Sequence, residues 1–264
     1  MHITVIGKSP SWQDAGGACS GYLVEEGGTR VLLDCGNGVF GKLRARCDYT
    51  EVDAVVISHL HADHCLDLIP FAYALTYSPR QQPWPVGGYP GTDSPARPRL
   101  VLPSGGTEAM RTLSGLWGGS QLVERAFACE EYEPDDIVEI GALRLRFGAV
   151  PHWVPTCAIE VTPVGGGRRF VYGADSAPNE EIIAFGAGAD LLMLEATLPR
   201  PERDGIRGHL TAEEAGAHGR AAAPARLVVT HISDELDPDL ALARASAAFG
   251  RPAELACEDA EYDI

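Results

Sequence analysis

Residues 55–64 read Val55-Val56-Ile57-Ser58-His59-Leu60-His61-Ala62-Asp63-His64, and this stretch decides the fold of the 264-residue chain. Its apolar start predicts a buried strand, and three imidazoles and one carboxylate follow directly. Ligand-type side chains at the end of a buried strand cost desolvation free energy unless a metal ion or one another satisfies them. The stretch therefore predicts a metal site rather than a histidine-rich polar turn.

The spacing of these four side chains predicts two adjacent metal ions. Side chains alternate along an extended segment, so His59 and His61 point to the same side and can bind one ion. As the chain turns into a helix, Asp63 and His64 can face a second ion beside the first. Nitrogen and carboxylate ligands without sulfur favour zinc, with manganese and iron as alternatives.

Two strand-rich blocks, each followed by helices, surround this stretch. The pattern predicts strands at 3–6, 22–25, 30–34, 54–58, 100–102, 143–149, 158–162, 170–173, 191–195 and 227–230. It predicts helices at 66–75 and 107–116. Two further helices carry capping signals: one begins with the capping box of Thr211 and Glu214, and the other runs from Asp237 to Gly250. We expect a single α/β domain over residues 1–264, an αββα sandwich of two mixed β-sheets flanked by helices. Periodicity alone does not separate this arrangement from other α/β folds.

Two segments between the predicted elements are polar or rich in proline and glycine. The acidic run EEYEPDD at 130–136 is expected to be a solvated turn. The loop at 78–99 has three alternatives: a lid, a contact of a homodimer, or a disordered surface excursion.

Composition restricts the partners and the compartment. A formal charge of −16 repels phosphate backbones, so we expect no extended nucleic-acid footprint. The seven cysteines are odd in number and never spaced as CxxC, which argues against a disulfide framework and a cysteine-ligated zinc site. The first ten residues lack the features of a signal peptide, and no run reaches the ~18 apolar residues of a membrane span. We therefore expect a cytoplasmic protein without a membrane partner.

The run HLHADH at 59–64 resembles the HxHxDH signature of the metallo-β-lactamase superfamily, and the resemblance extends along nearly the whole chain. It implies that Asp34, in VLLDCGNG, orients the histidines of the site. It also implies His152 as the next ligand, Asp175 in VYGADSAP as a bridge between the ions, and His231 in LVVTHIS as the last ligand. The first ion would then bind His59, His61, His152 and Asp175. The second would bind Asp63, His64, Asp175 and His231.

Within this superfamily the chain resembles the phosphodiesterase branch that contains ribonuclease Z, the transfer-RNA 3′-end processing endonuclease. LLMLEAT at 191–197 is similar to that branch's LLIHEAT box, and His209 in GHLTAEEA is similar to the histidine of its HST box. Leu194 stands where the box has its histidine, which leaves Glu195 to orient His209 and puts identical proton-transfer chemistry in doubt. The resemblance implies that Asp63 accepts a proton from the attacking water, while His209 stabilises negative charge or protonates the leaving oxygen. The alternative for His209 is an exposed loop histidine.

A narrower resemblance, to actinobacterial cyclic-nucleotide-degrading phosphodiesterases, is carried by SHLHADHCLDL, LDCGNGVFG, LLMLEAT and ACEDAEYDI. It implies a small phosphodiester substrate such as cyclic AMP. Such a substrate needs an apolar slot for its base, for which Trp153 and Tyr73 are candidates, with packing in the core as the alternative for each. The alternatives are a transfer-RNA endonuclease, a lactone or ester hydrolase, and an inactive binding module. The resemblance implies that bacterial endonucleases carry an arm between the positions of His152 and Asp175. Here that interval leaves room only for a turn and two strands.

Overall fold

The computed structural model describes residues 1–202, 205 and 207–264, and its first half forms one mixed sheet. This amino-terminal sheet contains β1 (His2–Gly7), β2 (Gly21–Glu26), β3 (Thr29–Leu33), β4 (Ala54–Val56), β5 (Arg99–Pro103), β6 (Ala128–Tyr132) and β14 (Glu261–Asp263). The strands lie in the order β14-β1-β2-β3-β4-β5-β6. Pairing is antiparallel from β14 to β3 and parallel from β3 to β6.

The second half of the chain repeats this arrangement. The carboxy-terminal sheet contains β7 (Ile137–Ile140), β8 (Leu143–Val150), β9 (Thr156–Pro163), β10 (Phe170–Tyr172), β11 (Leu191–Glu195), β12 (Arg226–Thr230) and β13 (Glu254–Leu255). The order is β13-β12-β11-β10-β9-β8-β7. Strands β7 to β10 pair antiparallel, and β10 to β13 pair parallel. The expectation of two mixed sheets is confirmed.

Helices cover the outer face of each sheet. They are α1 (Val39–Arg46), α2 (Ala62–Cys65), α3 (Leu68–Tyr77), α4 (Gly106–Gly115), α5 (Leu122–Ala126), α6 (Glu180–Phe185), α7 (Ala212–Ala222) and α8 (Pro238–Phe249). One apolar cluster fills the space between the sheets, a second lies between the amino-terminal sheet and α1, α3 and α5, and a third lies under α6, α7 and α8. These three cores make the four layers of the predicted αββα sandwich.

The caps of the last two long helices agree with the sequence analysis. The Thr211 side chain accepts a hydrogen bond from the Glu214 N–H, and Glu214 completes the capping box. Asp237 caps α8 ahead of Pro238, and Gly250 ends that helix in the left-handed conformation. These local signals fix where the helices behind β11 and β12 begin.

The acidic run at 130–136 is not simply a solvated turn, because Glu130 and Glu131 belong to β6. Strand β6 is the edge of its sheet, where charged side chains are tolerated. The Glu131 carboxylate accepts hydrogen bonds from the N–H groups of Gly105 and Thr107 at the start of α4. Its charge therefore caps the neighbouring helix.

The helix expected at 66–75 is α3, which begins two residues later, at Leu68, and is separated from the short helix α2 by Leu66 and Asp67. The Asp67 N–H donates to the Cys35 carbonyl, and its carboxylate accepts from the Phe40 N–H. These contacts with the segment after β3 interrupt the helix.

The lid alternative for loop 78–99 is wrong. Tyr49, which precedes β4, contacts Ser78 through a 2.7 Å hydroxyl pair, and Arg80 pairs with Asp48. The loop therefore lies at the amino end of β4, whereas His59 follows its carboxyl end. Gln81 fastens the loop by hydrogen bonds to both backbone groups of Ala96.

Among the described residues, no helix has the length and apolarity that crossing a membrane requires.

Candidate metal centre

The predicted ligands meet at one edge of the sandwich, where several strands end. Asp34 follows β3, His59 follows β4, His152 follows β8, Asp175 follows β10 and His231 follows β12. Carboxyl ends of parallel strands meet at the same edge of a sheet, which explains how residues far apart in sequence converge.

The seven predicted ligands form two groups whose ligand atoms each lie within 4.8 Å of one another: His59, His61 and His152, and Asp63, His64, Asp175 and His231. In the first group, the Nδ1 atom of His61 lies 3.2 Å from Nε2 of His59 and 3.1 Å from Nε2 of His152. In the second group, Oδ2 of Asp63 lies 3.5 Å from Nε2 of His64 and 3.3 Å from Nε2 of His231. Each group can hold a metal ion.

Asp175 connects the two groups. Its Oδ2 atom lies 3.9 Å from Nε2 of His59 and 3.4 Å from Nε2 of His64. Its Oδ1 atom lies 3.6 Å from Nε2 of His231. One carboxylate thus faces ligands of both groups, which is the geometry that a bridging ligand requires.

Asp34 orients two of the histidines from behind. Nδ1 of His64 lies 2.7 Å from the buried carboxylate of Asp34. Because an ionised carboxylate can only accept a hydrogen bond, Nδ1 of His64 carries the proton. The Ser58 hydroxyl donates to Asp34 and therefore accepts from Nδ1 of His59, 3.1 Å away. The Ser58 N–H and the Tyr172 hydroxyl also donate to Asp34. Both histidines are consequently fixed with Nε2 toward the centre.

Other partners fix two further histidines in the same way. Nδ1 of His152 donates to the Gly208 carbonyl at 2.7 Å. The Thr197 hydroxyl donates to Glu195, so it accepts from Nδ1 of His231 at 2.7 Å. His61 differs, because it presents Nδ1 to its neighbours. Sequence reasoning missed Ser58, Tyr172, Thr197 and Gly208, and no local motif marks them as partners.

His209 and Glu195 form a buried pair beside the ligands. Oε1 of Glu195 lies 2.8 Å from Nδ1 of His209, and that nitrogen is 3.8 Å from Oδ2 of Asp175. His209 is therefore not the exposed loop histidine of the alternative interpretation. Burial favours its neutral ring, but the hydrogen bond and charge of Glu195 raise the pKa of His209 to about 9. Nε2 is left as the atom that can exchange a proton with a substrate.

Leu194, which replaces the family's histidine, faces away from this centre. It packs in the apolar cluster under the helices, against Gly173, whereas Glu195 on the opposite face of β11 reaches His209. Side chains alternate along a strand, so a histidine at 194 would point toward the helices. The departure from the family pattern removes no group from the candidate site.

The centre is strongly polarised by its buried charges. Burial raises the pKa of Asp175, but His231 and His64 outweigh it and hold that pKa well below the usual range. Burial lowers the pKa of His64, but the carboxylates of Asp175 and Asp34 raise it well above the usual value. Burial, together with the neighbouring His64, lowers the pKa of His59.

Two buried atoms at the centre test whether these residues suit metal ions. Nε2 of His64 and Oδ1 of Asp175 are buried and have no hydrogen-bond partner in the described structure. Buried polar atoms are almost always satisfied, and an unpaired one needs a partner such as an ion. Both are ligand-type atoms of the second group, so the donor set fits a divalent cation.

The backbone at the centre adopts a conformation that side chains normally avoid. Asp34, Ala174 and His231 have φ angles of 59°, 52° and 60°. Left-handed backbone at non-glycine residues costs free energy and concentrates at functional sites. Here it bends the chain directly after β3, β10 and β12, where the ligands and their orienting aspartate must turn toward the centre.

Trp153 and Tyr73 do not pack in the core, since their side chains are 50% and 42% exposed. The Trp153 ring lies 5.0 Å from the rings of both His152 and His209, measured between centroids. Tyr73 instead lies in a surface groove with Tyr77 and Trp117. Only Trp153, of these two candidates, is seen against the metal centre.

A family model described as the beta-lactamase superfamily domain matches residues 29–232. That span includes each of the seven predicted ligands.

Two curated relatives carry informative names. The chain is 30% identical to the "Probable metallo-hydrolase YhfI" of Bacillus subtilis, over 88% of this chain and 87% of the relative. It is 27% identical to a "Ribonuclease Z" of Halorubrum lacusprofundi, over 94% of this chain and 91% of the relative.

Solved structures agree with the architecture. The crystal structure of the metallo-beta-lactamase fold protein YhfI from Bacillus subtilis superposes with a TM-score of 0.83 at 25% identity, covering 99% of each chain. Zn²⁺-bound PqqB from Methylobacterium extorquens superposes with a TM-score of 0.75 at 16% identity, covering each chain completely. The second comparison supports the fold alone.

Proposed function

The chain belongs to the beta-lactamase superfamily and is a metallo-hydrolase with a buried His/Asp metal-binding cluster, and we propose that it hydrolyses small phosphodiesters such as cyclic AMP. The observation that carries the proposal is the junction of two ligand groups at Asp175, with the His209–Glu195 pair beside it. A hydrolytic site needs a place for the reacting group and a proton donor within reach of it. The two ligand groups and the His209–Glu195 pair lie at one edge of the sandwich, which supports the proposal.

We assign the first metal to His59, His61, His152 and Asp175, and the second to Asp63, His64, Asp175 and His231. Two divalent ions bound there, zinc foremost, would polarise the phosphoryl oxygens and activate the attacking water. Asp63 lies at the second group, where its carboxylate can accept the proton of that water. Burial raises the pKa of Asp63, but hydrogen bonds from His231 and His64 outweigh burial and hold that pKa well below its usual range, so the carboxyl group is ionised.

His209 is the candidate proton donor, whereas Asp63 is the candidate proton acceptor. Glu195 holds Nδ1, which fixes the ring and leaves Nε2 to protonate the leaving oxygen or stabilise negative charge. The Ser176 N–H also donates to Glu195, at 3.0 Å, so this carboxylate is itself held in place. Glu195 is therefore a positioning residue that acts through His209.

A transfer-RNA endonuclease is the second candidate, favoured by the likeness to ribonuclease Z. Two features favour a small substrate instead. Between His152 and Asp175 the described chain forms only β9, a turn and β10, which leaves no arm for a large polyanion. The basic pair in that turn is already engaged, since Arg168 pairs with Asp190 and Arg169 with Glu160.

A substrate panel tests the proposal. Zinc- and manganese-loaded protein is assayed with cyclic AMP, a precursor transfer RNA and a lactone, and kcat/KM is compared under the same metal. We expect cyclic AMP to be hydrolysed with the highest kcat/KM. Efficient transfer-RNA cleavage with negligible cyclic AMP turnover would establish the endonuclease, and lactone hydrolysis alone would establish the ester-hydrolase alternative.

A further inference from the structure

Trp153 is a large aromatic side chain placed at the rim of the metal centre. It follows His152 in the segment between β8 and β9, and half of it is exposed to solvent. Its ring contacts those of three histidines, with centroid distances of 5.0 Å to His152, 5.0 Å to His209 and 6.3 Å to His61. The indole thus adjoins both a predicted ligand and the predicted proton donor.

A glycine makes this position of the indole possible. A Cβ atom at Gly208 would lie 2.5 Å from Cε2 and 2.7 Å from Cζ2 of Trp153, closer than real Cβ contacts come. The indole therefore packs directly on the Gly208 backbone. The Gly208 carbonyl also receives Nδ1 of His152, so one backbone residue contacts both the indole and a predicted ligand.

The indole is half exposed and is not coplanar with either neighbouring imidazole. The indole stands at 83° to the His209 ring and at 39° to the His152 ring. A substrate whose phosphodiester reaches the ligands and His209 can place its remaining part against Trp153, because the indole adjoins both His152 and His209. Aromatic side chains at such positions bind nucleobases by stacking, which requires no charge from an acidic chain.

Other exposed aromatic residues do not share this placement. Tyr73, Tyr77 and Trp117 line a separate groove beside α3. In the described part of the chain, three ring contacts join an exposed aromatic side chain to a histidine of the centre. All three involve Trp153. The rim next to His152 and His209 is therefore distinguished from the rest of the surface.

We infer that Trp153, packed on Gly208, forms a subsite that stacks on the planar ring attached to the scissile phosphodiester, a nucleobase being the ligand class. The inference rests on the proposed phosphodiesterase function and adds the part of the substrate that is recognised. The subsite selects substrates by binding, so its loss acts on KM more than on kcat.

The first test compares substrates with and without the base. Trp153→Leu is assayed on cyclic AMP and on the same ribose cyclic phosphate without its base. Stacking on an aromatic side chain predicts a loss of about 5- to 150-fold in kcat/KM for cyclic AMP, mainly through KM, and little change for the baseless substrate. Trp153→Phe should restore part of the loss. Equal losses on both substrates would assign Trp153 a merely structural role and overturn the inference.

The second test measures binding without turnover. Calorimetry on zinc-loaded protein compares the Kd of adenosine 5′-monophosphate with that of ribose 5-phosphate, since both offer the same phosphate to the metals. The wild type should prefer the nucleotide by the same factor, and Trp153→Leu should abolish the preference. Trp117→Leu, an exposed tryptophan outside the centre, is the matched control and should retain it.

The two tests separate this inference from the proposed function. Metal content and melting temperature are measured for each variant, so a misfolded protein is recognised. Hydrolysis of cyclic AMP with a nucleotide preference that survives in Trp153→Leu would refute the subsite and keep the function. A Trp153-dependent nucleotide preference without hydrolysis of any phosphodiester would refute the function and keep the subsite.

Discussion

Asp34→Asn is the most informative single substitution, because it changes the charge behind the ligands and hardly alters the volume. The carboxylate accepts from the Ser58 N–H through Oδ1, and from His64, Tyr172 and the Ser58 hydroxyl through Oδ2. An amide has one accepting oxygen and one donating nitrogen. One of these two sets of donors must therefore face an NH₂ group.

Which orientation of the amide costs less free energy depends on which of the donors can become an acceptor. A backbone N–H cannot reverse its role, so the amide oxygen stays with Ser58 and the NH₂ group faces His64. The His64 ring must then move its proton from Nδ1 to Nε2, the atom assigned to the metal. Losing a hydrogen bond to a charged group costs about 1.5–3 kcal/mol, and loss of such an orienting partner lowers metal affinity by about 10- to 100-fold.

Zinc affinity measured by competition with a chromophoric chelator checks this prediction. Asp67→Asn is the matched control, since Asp67 is a buried carboxylate in the adjoining segment whose oxygen accepts from the Phe40 N–H. The control should bind zinc like the wild type. Wild-type zinc affinity in Asp34→Asn, with its melting temperature preserved, would refute the view that Asp34 sets the His64 tautomer.

Three further substitutions test other parts of the centre. Asp175→Ala should lower the metal content at both sites, because it removes the shared ligand and leaves two cations repelling at close range; elemental analysis showing two retained equivalents would exclude the bridging role. His209→Ala should keep its metal but lose about 10²- to 10⁴-fold in kcat on a phosphodiester, and unchanged turnover would remove His209 from the mechanism. Gly36→Ala should lower the melting temperature, because its Cβ would lie 1.9 Å from the Asp63 carbonyl oxygen, whereas Gly41→Ala in α1 meets no atom within 4 Å and serves as the tolerated control.

Local signals in the sequence predicted much of this architecture. The strand before His59 is apolar and β-branched, and the caps at Thr211 and Asp237 use side chains close to the helix they begin. Such signals act within a few residues, so they survive without knowledge of the tertiary fold. The positions of the principal strands followed from them, whereas the choice of the sandwich over other α/β folds needed the resemblance to the metallo-β-lactamase superfamily.

Contacts between distant parts of the chain were beyond sequence reasoning. Tyr172 reaches Asp34 across 138 positions, and the Thr197 hydroxyl fixes the His231 tautomer only because two strand ends meet. Loop 78–99 could have been placed from topology alone, since a helix between parallel strands returns the chain to their amino ends. That rule places the end of the loop, where β5 begins, at the edge opposite to the one that carries His59.

The electrostatics of the centre favour the binding of cations. Asp34, Asp63, Asp175 and Glu195 are four buried carboxylates at or beside the centre, and such charges need positive partners. In the ligand set alone that charge comes from protons: burial disfavours imidazolium at His64, but Asp175 and Asp34 raise the pKa of His64 well above its usual value. A metal ion at Nε2 of His64 occupies the same position as that proton, so the two compete for one atom. Each buried carboxylate attracts the proton and the metal ion alike. The carboxylates therefore influence how strongly a proton and a metal ion compete for Nε2 of His64.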